Sequence, residues 1–235
     1  MVLKAIIYND QDARNFLTNI YLHFLNYGSR IPVVKLVDNY PAENFKISTT
    51  RLEDTYHSYM NRLTLLTDRE LLSLLSFVKK FKPQKIFEFG IGRGGSLLHF
   101  IDNTDSSVEI KSFDINLDAL PDFIRSKISS EKRVELIVGD SNEYDLSSHF
   151  DTYDFIFIDG GHEYREVKAD TLNAFKMLKA GGVIIWDDYN PFYSGVFKVV
   201  NNIQKQGLRP ISIQGTSLAF LEYNSAMRNI SAKDI

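Results

Sequence analysis

The sequence predicts an α/β fold, in which a mostly parallel sheet is covered by helices on both faces and ends in a C-terminal antiparallel hairpin. Three observations support this prediction. The chain has 235 residues, of which 44% are hydrophobic, enough for the core of one good-sized domain. From Lys85 onward, strand-length apolar runs alternate with stretches of helical period. The last two apolar runs are joined through Gly215-Thr216, as in a hairpin.

The part of the chain before residue 83 has a different, helical and irregular pattern. Apolar residues within Ala13–Leu25 share one helix face. Thr67 followed by Glu70 has the spacing of a capping box, so a helix is expected to begin at Thr67, and Pro83 should stop it. Two units are therefore predicted: a helical N-terminal extension or lid, 1–66, and the main domain, 67–235.

The alternation after residue 83 defines five strands and four helices before the hairpin. The predicted strands are Lys85–Phe89, Val108–Phe113, Val134–Val138, Tyr153–Ile158 and Val183–Trp186. The predicted helices are Ser96–Asp102, Leu120–Ile128, Val167–Leu178 and Gly195–Gln204. The hairpin strands are Ile211–Ile213 and Leu218–Leu221. Because the carboxyl ends of parallel strands share one edge of a sheet, a ligand is expected at that edge.

Composition excludes several classes of function. Lys+Arg 27 against Asp+Glu 30 gives a net charge of −3, too balanced for a dedicated nucleic-acid binder. Cys is absent, which excludes disulfides, thiolate catalysis and thiolate metal sites. No secretory signal and no apolar run approaching the ~20 residues that cross a bilayer is present, so a cytoplasmic protein without a membrane partner is expected. The aromatic N-terminal segments leave a homo-oligomer open.

A glycine-rich turn follows the first predicted strand of the main domain, with the sequence Glu88-Phe-Gly90-Ile-Gly92-Arg-Gly94-Gly95-Ser96. Its glycines let the backbone turn sharply and approach a ligand at the start of a helix. Asp114, at the end of the next strand, is placed where a carboxylate can hold ribose hydroxyls. This segment alone fits NAD or any other adenosine-containing ligand.

Two carboxylates near this turn favour a cationic ligand over a dinucleotide. Glu88 lies two residues before the first glycine, where it would repel a pyrophosphate and attract a cation. Asp140 and Ser141 follow the strand Val134–Val138 and offer a second polar pair at the same edge.

An acidic group follows the last two parallel strands. Asp159 comes after Tyr153–Ile158, and Asp187-Asp188 comes after Val183–Trp186. Carboxylates that converge repel one another, and a divalent cation removes that repulsion. Oxygen ligands favour Mg²⁺, Mn²⁺ or Ca²⁺ over zinc. His162, with an ordinary pKa near ~6.5, is a candidate general base; the alternative is a structural ring bonded to a backbone carbonyl.

Taken together, these motifs resemble the class I S-adenosylmethionine-dependent methyltransferases. The string from Phe157 to Tyr189 is similar to the metal-dependent O-methyltransferase branch related to macrocin O-methyltransferase. The resemblance implies a Rossmann-like methyltransferase fold with seven strands, one of them antiparallel. It implies cofactor binding by Glu88, Gly90, Gly92, Gly94, Ser96, Asp114, Asp140 and Ser141. It also implies metal binding by Asp159, Asp187 and Asp188, with His162 and Asp159 catalytic. For Ser96, a plain helix N-cap is the alternative.

The predicted function is transfer of a methyl group from S-adenosylmethionine to a hydroxyl of a small molecule, assisted by Mg²⁺. A sugar or glycosylated natural product is the acceptor that the resemblance favours. Two alternatives are an NAD(P)-dependent oxidoreductase and a non-catalytic binding module on the same fold. Tyr189, Phe192 and Tyr193 are candidates for the wall of an acceptor pocket, or for ordinary packing.

Overall fold

A computed structural model describes residues 33–34 and 66–235 of the chain. The predicted helix Ala13–Leu25 and most of the predicted N-terminal extension, 1–66, lie outside the described residues. The helices are α1 (Asp68–Phe81), α2 (Gly95–Asn103), α3 (Asp122–Ser130), α4 (Tyr164–Met177) and α5 (Ser194–Lys205). The strands are β1 (Val33–Val34), β2 (Lys85–Phe89), β3 (Glu109–Asp114), β4 (Val134–Val138), β5 (Tyr153–Ile158), β6 (Leu178–Trp186), β7 (Ile211–Ile213) and β8 (Ala219–Glu222). None of the helices within 66–235 is long and apolar enough to cross a bilayer.

The strands form one mostly parallel sheet, which confirms the predicted fold class. Their order is β1-β7-β8-β6-β5-β2-β3-β4. Only β8 is antiparallel to its neighbours, β6 and β7. The seven strands β2–β8 are those that the sequence predicts, and β1 adds two residues to the edge beside β7.

Helix α1 begins as its sequence predicts. Thr67 accepts the backbone N–H of Glu70, and the Glu70 carboxylate accepts the backbone N–H of Thr67, so that both halves of the capping box are present. The helix ends at Lys82, which has φ 45° directly before Pro83. By contrast, α4 begins at Tyr164, three residues before the predicted start, because Glu163 and Glu166 form a further capping box.

The core lies on both faces of the sheet. Along β5, Phe155 and Phe157 point into the cluster that also contains α1 and α2, whereas Ile156 and Ile158 point into the cluster beneath α4 and α5. All four side chains are buried. Each such side chain contributes about 2 to 3 kcal/mol when it is removed from water, so that burial on both faces fixes the sheet.

Strand register aligns the carboxyl ends that carry the predicted site. Phe89 lies opposite both Phe113 and Ile158, and Ile158 lies opposite Trp186. The residues that follow these strands, among them Gly90, Asp159 and Asp187, therefore emerge at one level of the same edge. This alignment is the structural basis of the site.

Candidate active site

A cavity of about 300 Å³ opens at the carboxyl ends of β2, β3, β4 and β5. Four of the eight predicted cofactor-binding residues line it: Gly90, Asp114, Asp140 and Ser141. The other four do not line it in this structure: Glu88, Gly92, Gly94 and Ser96. Its wall is completed by Phe89, Phe113, Ile115, Gly139, Asn142, Gly160, Gly161, Glu163, Arg165, Glu166 and Asp170.

At Gly90, the first glycine of the turn, this cavity comes close to the acidic group. Gly90 has φ 93°, and a Cβ there would lie 2.0 Å from the backbone oxygen of Asp159. Its N–H donates to the backbone oxygen of Phe113 at 2.8 Å. Only glycine fits this position, because a side chain would push apart the ends of β2 and β5.

Asp114 braces the glycine turn from the neighbouring strand. Its Oδ2 accepts the backbone N–H groups of Ile91 at 2.7 Å and Gly92 at 3.0 Å. Its other oxygen lies 3.4 Å from the backbone nitrogen of Asn116. The predicted ribose-binding acid therefore lies at the cavity wall, with one oxygen committed to the turn.

Glu88 lies fully buried beneath the turn. Its carboxylate accepts hydrogen bonds from the hydroxyls of Ser96 and Ser112, the latter at 2.6 Å. Burial raises the pKa of Glu88 from 4.5 to about 7, against the effect of these two hydrogen bonds. Ser96 is not the N-cap that its alternative interpretation requires, since Gly94 occupies that position. Both residues support the turn from below.

The far side of the cavity carries Asp140, Ser141 and a buried acid that sequence reasoning assigned to no role. Asp140 is half-buried, and hydrogen bonds from Asn142 lower its pKa. Asp170, on α4, is 4% exposed and bonded to the Ser141 hydroxyl. Burial raises the pKa of Asp170 to about 7. In the helical period of α4, Asp170 occupies a position typical of a core residue, so the sequence did not indicate that it lines the cavity.

The three predicted metal ligands converge beside this cavity. Asp159, Asp187 and Asp188 each offer an oxygen, and these oxygens lie within 4.8 Å of one another. Burial, and then the charge of Asp188, raises the pKa of Asp159; burial, and then the charge of Asp159, raises that of Asp187. The turn Gly160-Gly161 lines both this cluster and the cofactor cavity.

The donor set fits a divalent cation. Within residues 66–235 no Lys or Arg forms an ion pair with these three carboxylates. The Asp159 carboxylate accepts no hydrogen bond from the described part of the chain, and burial raises its pKa. Neighbouring carboxylates that repel one another are costly, and a cation bound by oxygen ligands removes that cost.

His162 joins the cluster through one ring nitrogen. Its Nε2 lies 2.7 Å from Oδ2 of Asp188, and its ring stacks on Tyr193 with 4.4 Å between centroids. The hydrogen bond to Asp188 raises the pKa of His162. The partner is a carboxylate and not the backbone carbonyl that the structural alternative requires.

The aromatic residues after the acidic pair do not form one wall. Tyr189 is 4% exposed, stacks on Phe197 and approaches Asn201 with its hydroxyl at 3.3 Å, so it belongs to the core. Of the two interpretations of Tyr189, the structure therefore supports ordinary packing, because its side chain is buried. Phe192 is 74% exposed, and Tyr193 covers the His162 ring.

Comparisons with known proteins agree with this geometry. Residues 87–189 match a family model described as a methyltransferase domain. No protein of curated function matches the sequence significantly. The fold resembles that of a Podospora anserina methyltransferase solved with S-adenosylhomocysteine, at 16% identity and a TM-score of 0.55 over 68% of this chain and 80% of that one.

Two further solved structures have the same fold. A protein from Staphylococcus aureus proposed to be a caffeoyl-CoA O-methyltransferase has 18% identity and a TM-score of 0.56, over 70% of this chain and 88% of that one. The O-methyltransferase TomG from Streptomyces achromogenes, involved in tomaymycin synthesis and solved with S-adenosylmethionine, has 13% identity and a TM-score of 0.55, over 68% and 82%.

The chain therefore has the fold of methyltransferases solved with S-adenosylmethionine or S-adenosylhomocysteine, and residues 87–189 are similar to a methyltransferase domain. The matched segment runs from β2 to Tyr189, so that it includes the glycine turn and all three carboxylates of the cluster.

Proposed function

We propose that this protein is an O-methyltransferase that moves the methyl group of S-adenosylmethionine to a hydroxyl of a small molecule, with a divalent cation held by Asp159, Asp187 and Asp188. The observation that carries the proposal is the convergence of these carboxylates within 4.8 Å, one glycine turn away from the cofactor cavity. Methyl transfer needs the acceptor oxygen and the methyl carbon in line, and two adjoining sites at one sheet edge support that placement.

Cofactor binding is assigned to the cavity beside the glycine turn. Asp114 would accept the ribose hydroxyls through its oxygen that does not brace the turn, and Asp140 and Ser141 would contact the adenine side. Glu88 lies behind the turn, where its ionised form would favour the cationic ammonium and sulfonium groups without contact. Gly90 has no side chain at the end of β2, so that the reacting half of the cofactor can approach Gly160.

Mg²⁺ is the favoured cation because the three donors are hard carboxylate oxygens. When bound, such a cation lowers the pKa of a hydroxyl that it coordinates and fixes its orientation. An acceptor with two neighbouring hydroxyls suits this site, which is consistent with the sugar or glycosylated natural product that the sequence resemblance favours.

His162 is assigned the role of general base, which accepts the proton of the acceptor hydroxyl. Its Nε2 contacts Asp188, so Nδ1 is the ring nitrogen left to accept the acceptor's proton. In the transfer, the acceptor oxygen forms a bond to the methyl carbon while the carbon–sulfur bond breaks. The electron pair stays on sulfur, giving S-adenosylhomocysteine, and the hydroxyl proton passes to His162.

The proposal is tested by calorimetric binding of S-adenosylhomocysteine, NADH and Mn²⁺ to the full chain. We expect binding of S-adenosylhomocysteine and of Mn²⁺, with Mn²⁺ binding lost in Asp187→Asn and kept in the exposed control Asp118→Asn. Affinity for NADH without affinity for S-adenosylhomocysteine would refute the methyltransferase assignment. Mn²⁺ binding that survives Asp159→Asn and Asp187→Asn would refute the metal site.

A further inference from the structure

Two buried residues outside the predicted ligand set form a chain of contacts that reaches Asp187. Glu70, on α1, is 5% exposed, and Ser217, just before β8, is 7% exposed. They are far apart in sequence, and the capping box accounts for Glu70 from sequence without reference to any site. Their contacts link α1 to the segment that carries Asp187 and Asp188.

Ser217 uses all three of its polar groups in this link. Its backbone N–H donates to Oε1 of Glu70 at 2.7 Å. Its backbone oxygen accepts the N–H of Tyr189 at 2.7 Å. Its hydroxyl lies 2.5 Å from Oε1 of Glu70 and 3.1 Å from Oδ1 of Asp187. One residue therefore contacts both the side chain of one ligand and the backbone next to the other.

Glu70 is held firmly enough to act as the anchor of this link. Its Oε2 accepts the backbone N–H and the hydroxyl of Thr67, both at 2.8 Å. Its Oε1 keeps the Ser217 N–H bond whichever way the hydroxyl turns. The Ser217 hydroxyl has one proton for its two carboxylate contacts, and the shorter contact, to Glu70, keeps the hydroxyl in place beside Asp187.

The segment that Ser217 contacts needs such support. Asp188 has φ 56°, in the left-handed region that non-glycine residues seldom adopt. Asp187 is bound to the end of β5 through its N–H to the oxygen of Ile158 at 2.9 Å. The Tyr189–Ser217 bond holds the other end of the segment, so that the two ligands lie between two fixed points.

We propose that Glu70 and Ser217 are positioning residues that clamp Asp187 and Asp188 in the geometry of the cation site. The inference rests on the proposed function, because it needs a cation at these carboxylates. Groups that orient metal ligands in this way are worth about 10- to 100-fold in metal affinity. The Ser217 hydroxyl holds Oδ1 of Asp187, which leaves Oδ2 for the cation.

The test is the Mn²⁺ affinity of the full chain, measured by calorimetry and by electron paramagnetic resonance, with S-adenosylhomocysteine affinity as a measure of an intact fold. Ser217→Ala and Glu70→Ala are each expected to weaken Mn²⁺ binding about 10-fold. Their effects should not add in the double variant, since both act through one link. S-adenosylhomocysteine affinity should stay within about twofold of wild type.

Two control variants separate positioning from general loss of stability. Ser73→Ala and Ser76→Ala each remove a buried hydroxyl on α1 that bonds only a backbone carbonyl of the same helix, that of Arg69 or of Leu72. Both should keep Mn²⁺ affinity within about twofold of wild type.

The outcomes distinguish this inference from the proposed function. If wild type binds Mn²⁺ and Ser217→Ala binds it equally well, the clamp is refuted and the metal site stands. If Ser73→Ala or Ser76→Ala weakens binding as much as Ser217→Ala, the effect is one of stability and the clamp is also refuted. If wild type binds no Mn²⁺, the metal site and the clamp fall together.

Discussion

Because Glu88 is buried, the free energy of unfolding of this protein should fall as the pH rises. The substitution Glu88→Gln should remove this part of the pH dependence. Burial raises the pKa of Glu88 from 4.5 to about 7. Glu88→Gln has nearly the same shape and does not titrate. Ser96 and Ser112 can serve its amide as hydrogen-bond acceptors or donors.

The direction of this pH dependence follows from the difference in proton binding between the native and the unfolded state. Between pH 4.5 and about 7 the native state holds the Glu88 proton while the unfolded chain releases it, so that rising pH favours unfolding. Below this window both states are protonated, and above it both are ionised, so the penalty is then constant. The full difference corresponds to about 3 kcal/mol. Between about pH 5 and about pH 8 the variant should gain about 2.5 kcal/mol of stability relative to wild type.

Urea denaturation of both proteins at the two pH values measures this gain. Comparing the two proteins cancels the contributions of the other carboxylates, as far as these are not coupled to Glu88. The exposed control Glu143→Gln should change the free energy of unfolding by less than about 0.5 kcal/mol at either pH. A Glu88→Gln difference that is equal at both pH values, or that falls with pH, would refute the reasoning from burial.

Four further outcomes are expected. Gly90→Ala should cost about 3 kcal/mol or more in urea denaturation, because its Cβ would meet backbone atoms, whereas Gly92→Ala, with open space around it, should cost about 1 kcal/mol; equal costs would contradict this. Mn²⁺ at about 100 times its Kd should stabilise wild type by about 2.7 kcal/mol, a Tm rise of roughly 5 to 10 °C, and an unchanged Tm would contradict binding. Asp187→Asn should remove that rise yet make the metal-free protein more stable above neutral pH, since it removes the cost of burying an ionised carboxylate and then the repulsion within the cluster; a less stable metal-free variant would argue against both causes. The contribution of His162, whose pKa Asp188 raises, should be complete below about pH 6.5 and lost as pH rises through its folded pKa, so the stability difference from His162→Gln in metal-free protein should shrink with pH.

The fold could be predicted because its signals are local. The capping box at Thr67 and the stop at Pro83 lie next to the residues that they control, and α1 begins and ends where they indicate. The predicted start of α4 is wrong by three residues. Its N-cap is Glu163, which is not among the residues that prefer this position. The sequence leaves open whether Tyr189 packs in the core or lines a pocket, because no periodic pattern marks a residue in an irregular turn.

The chemistry at the strand ends was likewise visible in the sequence. A carboxylate directly after a buried strand must lie at the sheet edge, so Asp114, Asp159 and Asp187 could be assigned there from their spacing alone. What each carboxylate bonds could not be assigned. Asp114 braces the glycine turn and Glu88 bonds two serines, because hydrogen-bond partners depend on neighbouring strands and on the following helix.

The sequence by itself determined the class of fold, the edge that carries the site and the residue types gathered there. Only the tertiary structure decided that three carboxylates come within 4.8 Å, that His162 bonds Asp188, and that Glu70 reaches Ser217 across 147 residues. The physical reason is the separation along the chain over which each interaction acts. Hydrophobic period and capping act within a few residues, whereas these contacts depend on strand register and on where α1 packs against the sheet.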